Sequence, residues 1–252
     1  MPYVQKTWKT PRTREVLKYY RFACTMENGK IKKSRGKREQ ASTESKRRWN
    51  RKQRIRKFTR KMDANFGIGD YNYRFSYPLH GRPAPEGHDK IWSRFLRKLR
   101  DAYRRAGKVF RWMTRTEIGT RGGIHVHMVL SAGISRDEID MLWQTFGGVC
   151  RSQRLYSREL GKLAMYMLKD EQEVTGRKQK YSCSRNLIIP QAKTKKVKAT
   201  SWMEVPREPA GWMMVADSIE TGVNPFTGYG YQYVKFVKIA DKGDEDDEKA
   251  HL

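Results

Sequence analysis

Apolar and polar residues alternate in two short stretches of the chain, on either side of the glycine-rich segment 119–123. In the second stretch four apolar residues share one parity: Ile124, Val126, Met128 and Leu130. His125 and His127 take the other parity, and in the first stretch Glu117 lies on the polar side. Because side chains alternate across a strand, the pattern predicts two strands, each with one apolar and one polar face.

A pairing of these strands through the glycine-rich turn would place Ile118 opposite Ile124 and Glu117 opposite His125. His127 is then one diagonal step from Glu117, close enough to share a ligand with it. Two imidazoles and one carboxylate are donors that suit a catalytic divalent cation. A His-x-His pair on a strand also arises by chance, and the glutamate could instead form a surface ion pair with a nearby arginine.

A second periodic segment, residues 160–169, has the 3.6-residue spacing of a helix. Its apolar stripe consists of Leu160, Leu163, Ala164, Met167 and Leu168. Tyr166 falls outside that stripe, on the flank that carries Lys162 and Lys169. A tyrosine on a helix is usually a packing residue, but here other side chains already fill the apolar side. Neighbouring ammonium groups favour a phenolate and stabilise an attached phosphate, so the pattern favours phosphodiester cleavage by a tyrosine nucleophile.

Other patterns predict the elements around these two segments. Residues 71–77 alternate as a strand, and a helix follows at about residues 89–106. Ser135 and Glu138 form a capping box that opens a further helix. The stretch after Ser42 is also compatible with a helix, although its apolar face is sparse.

The order of these elements predicts the α+β fold class, with helices packed on a central, mainly antiparallel sheet. The basic segment 193–198 is expected to be a loop, and residues 228–239 alternate weakly as a late strand. Three regions are expected: a basic N-terminal arm at 1–61 with a possible extra strand and helix, a main domain at 62–240, and an acidic, disordered tail at 241–252.

The net charge of the chain indicates which class of partner the protein binds. Lys and Arg number 54 against 27 Asp and Glu, which gives a formal net charge of +27. Such a field attracts polyanions, and nucleic acid first. The sequence has neither a long apolar run nor a signal-peptide core, so we expect a cytoplasmic protein with no membrane partner. Cys24, Cys150 and Cys183 show neither zinc-ligand spacing nor a disulfide framework.

Two of these motifs together resemble a known family. His125-Val126-His127 is similar to the His-hydrophobic-His motif of the HUH endonucleases, and Tyr166 with Lys169 is similar to their helical nucleophile motif. Among these enzymes, the chain most resembles rolling-circle replication initiators, in particular the replication-associated proteins related to the filamentous-phage gene II protein.

A third motif precedes the metal site in that family, and the chain carries a similar one. Asn65-Phe66 and Gly69-Asp70 lead into the strand at 71–77, where Phe-Ser replaces the family's Leu-Thr. Stretches at 181–190 and 224–228 are also similar, so the likeness spans roughly residues 43–240.

The resemblance implies an HUH/RRM-like endonuclease domain at 62–240, in which His125, His127 and Glu117 hold Mg²⁺ or Mn²⁺. It also implies that Tyr166 attacks a phosphate of single-stranded DNA at an origin hairpin. The products would be a 5′-phosphotyrosine and a free 3′-hydroxyl.

Further roles follow from the same resemblance. Lys169, with Lys162, would steady the phenolate and the phosphotyrosine, and Arg121, Arg115 and Arg185 are candidates for contacts with DNA. No Gly-x-x-x-x-Gly-Lys-Ser/Thr loop is present, so a phage or plasmid initiator of this kind would depend on a helicase and a DNA polymerase of its bacterial host.

Three alternatives stay open at this point. A relaxase or transposase of the same superfamily would share the tyrosine chemistry but act on different DNA. A non-catalytic, basic nucleic-acid-binding protein would use the aromatic and basic residues only as a platform. A metal-dependent RNA-processing enzyme with a histidine pair would form no covalent adduct.

Overall fold

The computed structural model describes four stretches of the chain: residues 3–20, 43–119, 122–169 and 181–239. They form two compact units. The first unit comprises the described residues up to Lys57 together with Pro190–Ile239, and the second comprises those of Phe58–Ile189. In the described ranges the fold is α+β, as predicted, with four helices and two antiparallel sheets.

The elements are numbered in chain order. The strands are β1 (Tyr3–Lys9), β2 (Thr13–Tyr20), β3 (Tyr71–Ser76), β4 (Trp112–Ile118), β5 (Ile124–Leu130), β6 (Val149–Arg154), β7 (Ser182–Cys183), β8 (Lys193–Val197), β9 (Trp212–Met214), β10 (Glu220–Val223) and β11 (Gly230–Lys238). The helices are α1 (Glu44–Asn65), α2 (Pro85–Arg105), α3 (Arg136–Gln144) and α4 (Gly161–Met167), with a 3₁₀ turn at Leu79–Gly81. None of the described helices combines the length and the apolar character needed to cross a bilayer.

The sheet of the second unit has the order β6-β3-β5-β4-β7. Its β4–β5 hairpin has the predicted register, with Ile118 opposite Ile124 and Glu117 opposite His125. The turn is closed by the Gly119 amide, which donates to the Gly123 carbonyl at 2.8 Å. This register follows from the pleat, because a slip of one residue would turn every apolar side chain of β5 away from the core.

An aromatic core covers one face of this sheet. Phe75 on β3, Phe95 on α2 and Trp143 on α3 are completely buried there, and their rings lie 4.9–5.4 Å apart. Burying each of these rings contributes on the order of 2–3 kcal/mol. The N-cap predicted for α3 is confirmed, because the Ser135 side chain accepts a hydrogen bond from the Glu138 amide at 3.1 Å.

The opposite face of the sheet is covered by the C-terminal part of α1 and by α4. Met62 on α1 and Met167 on α4 are buried. The Asp63 carboxylate, also buried, accepts a hydrogen bond from the Leu160 amide at 2.9 Å and so ties the two helices together. The packing of this second layer fixes the rotation of α4 about its axis. It therefore determines which side chain of α4 lies against the polar face of the β4–β5 hairpin.

The first unit contains a six-stranded sheet in which β10-β11-β2-β1-β8 are neighbours and β9 pairs with β11. The late strand predicted at 228–239 is confirmed as β11. The loop predicted at 193–198 was wrong, because residues 193–197 form β8 and pair with β1. The predicted division into an arm at 1–61 and a domain at 62–240 stays a prediction, and the tail at 241–252 lies outside the described residues.

Polar contacts hold the N-terminal part of α1 against β10 and β11. The Arg56 guanidinium lies 3.5 Å from the ring centroid of Tyr233 and forms an ion pair with Glu220 at 2.8 Å. The Trp49 ring meets the Tyr231 ring edge-on at 4.7 Å. A helix with few apolar residues therefore gains its contacts from cation–π and ionic pairs.

Candidate active site

The β4–β5 hairpin brings Glu117, His125 and His127 to one face of the sheet. The carboxylate of Glu117 forms its hydrogen bond with the diagonal residue, His127, and not with His125, which lies directly opposite. It accepts a hydrogen bond from Nε2 of His127 at 2.6 Å. Only 5% of the His127 side chain and 15% of the Glu117 side chain are exposed, so this pair is shielded from solvent.

The environment sets the charge of these groups. The hydrogen bond from His127 lowers the pKa of Glu117, while burial acts in the opposite direction. Burial, followed by the nearby Arg74, lowers the pKa of His125. At neutral pH the site therefore holds an ionised carboxylate and a neutral imidazole at position 125, which are the forms that bind a metal cation.

His125 has one polar neighbour that sequence reasoning did not identify. The Arg74 guanidinium, on β3, donates to Nε2 of His125 at 3.2 Å. A Cβ atom at Gly119 would lie 2.9 Å from the same nitrogen, so a larger residue there would have to displace the imidazole. Nδ1 of His125 is buried and has no hydrogen-bond partner among the described residues. Arg74 could have been found from its place on the polar face of the strand at 71–77.

Two imidazoles and a carboxylate fit a divalent cation in the chemistry of their donors. His127 and Glu117 already lie within 2.6 Å of each other, and the buried Nδ1 of His125 lacks a partner in the described part of the chain. Within the same described ranges, however, no three His, Cys, Asp or Glu side chains converge in a metal-binding cluster. The ligand set Glu117, His125 and His127 thus stays a prediction.

Helix α4 places Tyr166 over this face. Its ring centroid lies 5.2 Å from that of His127, with the two rings at 88° to each other. Tyr166 is 55% exposed. Lys162, four residues earlier on the same side of the helix, is also exposed. A phenol that is open to solvent on one side and lies against a buried imidazole on the other can receive a substrate.

Lys169 follows directly after the last turn of α4 and has an exposed side chain. Its amide donates to the Tyr166 carbonyl at 3.2 Å, and its own carbonyl accepts a hydrogen bond from the Arg115 guanidinium at 3.1 Å. Arg115 is only 4% exposed. The structure therefore gives Arg115 a contact that sequence reasoning missed, namely with the end of the tyrosine helix.

The remaining candidates lie elsewhere. Arg185 is exposed and follows β7, where it lines a groove with α2 and is not grouped with the hairpin residues. Arg121 lies outside the described residues. Of the predicted residues, the structure brings together Glu117, His125, His127 and Tyr166.

The fold and the site define a class: an α+β protein with a helical tyrosine against a histidine–glutamate pair on an antiparallel sheet. Residues 75–171 match the family model described as replication-associated protein ORF2/G2P. This match, which covers less than half of the chain, confirms the resemblance predicted from the motifs. Comparisons with curated proteins and with solved structures find no match.

Proposed function

We propose that the protein starts rolling-circle replication by nicking single-stranded DNA at an origin, with Tyr166 as the nucleophile. The observation that carries the proposal is the contact between the exposed Tyr166 ring and the buried His127 ring at 5.2 Å. The match of residues 75–171 to a replication-associated family supports the same reading, because it covers the hairpin and the whole of α4.

The proposed cleavage of the DNA strand involves only a few side chains. The phenolic oxygen of Tyr166, which is exposed, gives its proton to solvent water and attacks the phosphorus of the scissile phosphodiester. The bond from phosphorus to the 3′-oxygen breaks, and the 3′-oxygen takes up a proton to become a free hydroxyl. Lys162 and Lys169, four residues before and three after the nucleophile, would stabilise the charge of the scissile phosphate and of the phosphotyrosine.

Glu117, His125 and His127 would hold Mg²⁺ or Mn²⁺, which supplies electrophilic stabilisation of the phosphate oxygens when bound. Their own protonation supports this assignment, since Glu117 is ionised and His125 neutral at neutral pH. Arg115 fixes the carbonyl of Lys169 and so acts as a positioning residue for the end of α4. The free 3′-hydroxyl would be extended by a DNA polymerase of the host, after unwinding by a host helicase.

Covalent trapping tests the proposal. Wild-type protein and Tyr166→Phe are each incubated with Mn²⁺ and labelled single-stranded DNA that includes the protein's own replicon, then separated under denaturing conditions. We expect label on the wild type and a loss of at least about a thousandfold in Tyr166→Phe, because phenylalanine has no nucleophilic oxygen. Binding of DNA should be retained by the variant.

Tyr156→Phe is the matched control, since Tyr156 is 76% exposed and lies outside the site. It should form the adduct as the wild type does. An adduct that persists in Tyr166→Phe would exclude Tyr166 as the nucleophile. Sequencing of the attached DNA separates an origin nickase from a relaxase or a transposase. No adduct in the wild type would overturn the proposal and leave a non-catalytic binding protein or an RNA-processing enzyme.

A further inference from the structure

A groove of about 1000 Å³ lies beside α2 in the second unit, between that helix, the start of β4 and the segment after β7. Its basic lining residues are Arg97, Arg100, Arg104, Lys108 and Arg185. All five have exposed side chains. Among the described residues, no carboxylate lines the groove, which is unusual for a protein surface, where charges of both signs normally mix.

The groove lies on the opposite side of the sheet from the tyrosine. Phe110 and Trp112, which also line it, pack against the aromatic core under α2 and α3. Glu117 and Arg115 have the other parity of β4 and face α4. Because the two faces of a strand point in opposite directions, the groove is separate from the site of the tyrosine chemistry.

Three arginines follow one face of α2 at positions 97, 100 and 104, which is the spacing of neighbouring turns. Arg104 also pairs with Asp101 at 3.2 Å, but its side chain is 78% exposed and such surface pairs are weak. Successive cations along a groove suit a polymer with a negative charge at every unit, since each phosphate contact releases condensed counterions.

The aromatic floor of the groove is fixed in place. The Ser184 amide donates to the Trp112 carbonyl at 3.0 Å, and the Trp112 amide donates to the Ser184 hydroxyl at 3.1 Å. The Asn186 side chain donates to the Phe110 carbonyl at 3.1 Å. Phe110 and Trp112 are only partly buried, so ring surface stays available beside the cations.

We infer that this groove binds a single-stranded polynucleotide, with its phosphates on the α2 arginines and its bases against Phe110 and Trp112. Cations beside aromatic rings are the combination that recognises unpaired strands, because every base has a face that can stack. The groove would hold part of the substrate strand away from the nick. The inference rests on the proposed function only in taking DNA as the natural polynucleotide.

The test measures binding without cleavage. Protein carrying Tyr166→Phe is titrated, in the presence of a chelator, into a fluorescent oligothymidylate of about 20 nucleotides at several salt concentrations. Arg97→Glu with Arg100→Glu is compared with Arg94→Glu and Arg105→Glu, which lie on the same exposed helix surface but do not line the groove. Both double variants change the net charge equally.

We expect the groove variant to bind oligothymidylate at least about tenfold more weakly, while the affinity of the control variant falls by no more than about threefold. The slope of log affinity against log salt concentration should be smaller by about one in the groove variant. Equal losses in the two variants would overturn the inference, because the general positive field would then explain all binding. Equal melting temperatures establish that both variants are folded.

A second comparison addresses the aromatic residues. Under the same conditions, the Tyr166→Phe protein should bind oligothymidylate about tenfold more tightly than an abasic strand of equal length, and adding Phe110→Leu should reduce that preference. Equal affinity for the abasic strand, or for an acidic polypeptide of matching charge, would refute a site for unpaired bases. The assay uses no chemistry, so it can succeed when covalent trapping fails, and the reverse.

Discussion

Cys150 illustrates how much a single side chain depends on its surroundings. Its thiol, on β6, donates a hydrogen bond to the Asp140 carboxylate at 3.2 Å. Burial, together with this hydrogen bond and the negative charge of Asp140, raises the pKa of Cys150 to about 12. Since only the thiolate is nucleophilic, the cysteine is chemically quiet in the folded protein.

Alkylation at pH 8 tests this. An ordinary thiol with a pKa of about 8.5 is appreciably ionised at that pH, so we expect Cys150 to react roughly a thousand times more slowly in the folded protein. The rate should rise about tenfold with each pH unit above 8, without levelling off near pH 8.5 as it does for an ordinary thiol. Iodoacetamide labelling followed by peptide mass spectrometry measures it, with protein unfolded in guanidinium as control. Equal rates in both states would contradict the raised pKa.

For single residues, the sequence predicted the face of the strand on which a side chain lies better than it predicted the hydrogen bonds that the side chain makes. The parity of β5 was enough to place His125 and His127 on one face, because alternation is a local property. The hydrogen bond of Glu117 to the diagonal His127, and that of Arg74 to His125, depend on how side chains turn within the folded site. The parity of residues along a strand does not determine these hydrogen-bond partners.

Among the elements, α4 depends most on its supports. It has seven residues, and its N-cap, Leu160, provides no side-chain hydrogen bond. Instead, Asp63 accepts from the Leu160 amide at one end, and Arg115 donates to the Lys169 carbonyl at the other. A helix this short is not stable by itself, so tertiary contacts determine where Tyr166 lies.

Asp63→Ala should therefore destabilise the protein by about 1–3 kcal/mol, because a buried amide loses its acceptor. Adduct formation by Tyr166 should fall as well, since the start of its helix is released. Urea unfolding and covalent trapping measure the two effects. Asp63→Asn keeps an acceptor oxygen and should restore much of both. If the alanine and asparagine variants behave alike, the hydrogen bond does not hold the helix.

The elements also show where local patterns fail. Hairpin β4–β5 was predicted down to its register, because a glycine turn joins strands that are adjacent in sequence. Strand β8 was missed because its five residues include three lysines and it pairs with β1, which lies far away in the chain. Lysines on an outer strand discourage further pairing, so an edge strand can look like a basic loop.

For the whole molecule, the net charge of +27 sets the range of conditions in which binding can be specific. At low salt such a field holds any polyanion, since phosphate neutralisation releases counterions. Sequence discrimination has to come from the few side chains that meet bases.

We therefore expect affinity for unrelated single-stranded DNA to fall steeply with salt, with a log–log slope of about −4 or steeper if about six or more phosphates are contacted. Over the same range of salt concentration, affinity for the cognate origin should fall by a smaller factor than affinity for unrelated DNA. Titrations between low and physiological salt measure both slopes. A shallow slope for unrelated DNA would mean that most of the positive charge does not contact the strand.

The order in which the strands occur along the chain has a consequence for synthesis. β2 lies between β1 and β11 in the first unit, with Val16 opposite Val234. On a ribosome, the β1–β2 hairpin emerges early, and its partner strand follows only after all of Phe58–Ile189 has been translated. The second unit can thus fold while both edges of that hairpin are still unpaired, since β8, the partner of β1, also follows Ile189. Nascent chains with exposed strand edges are prone to associate.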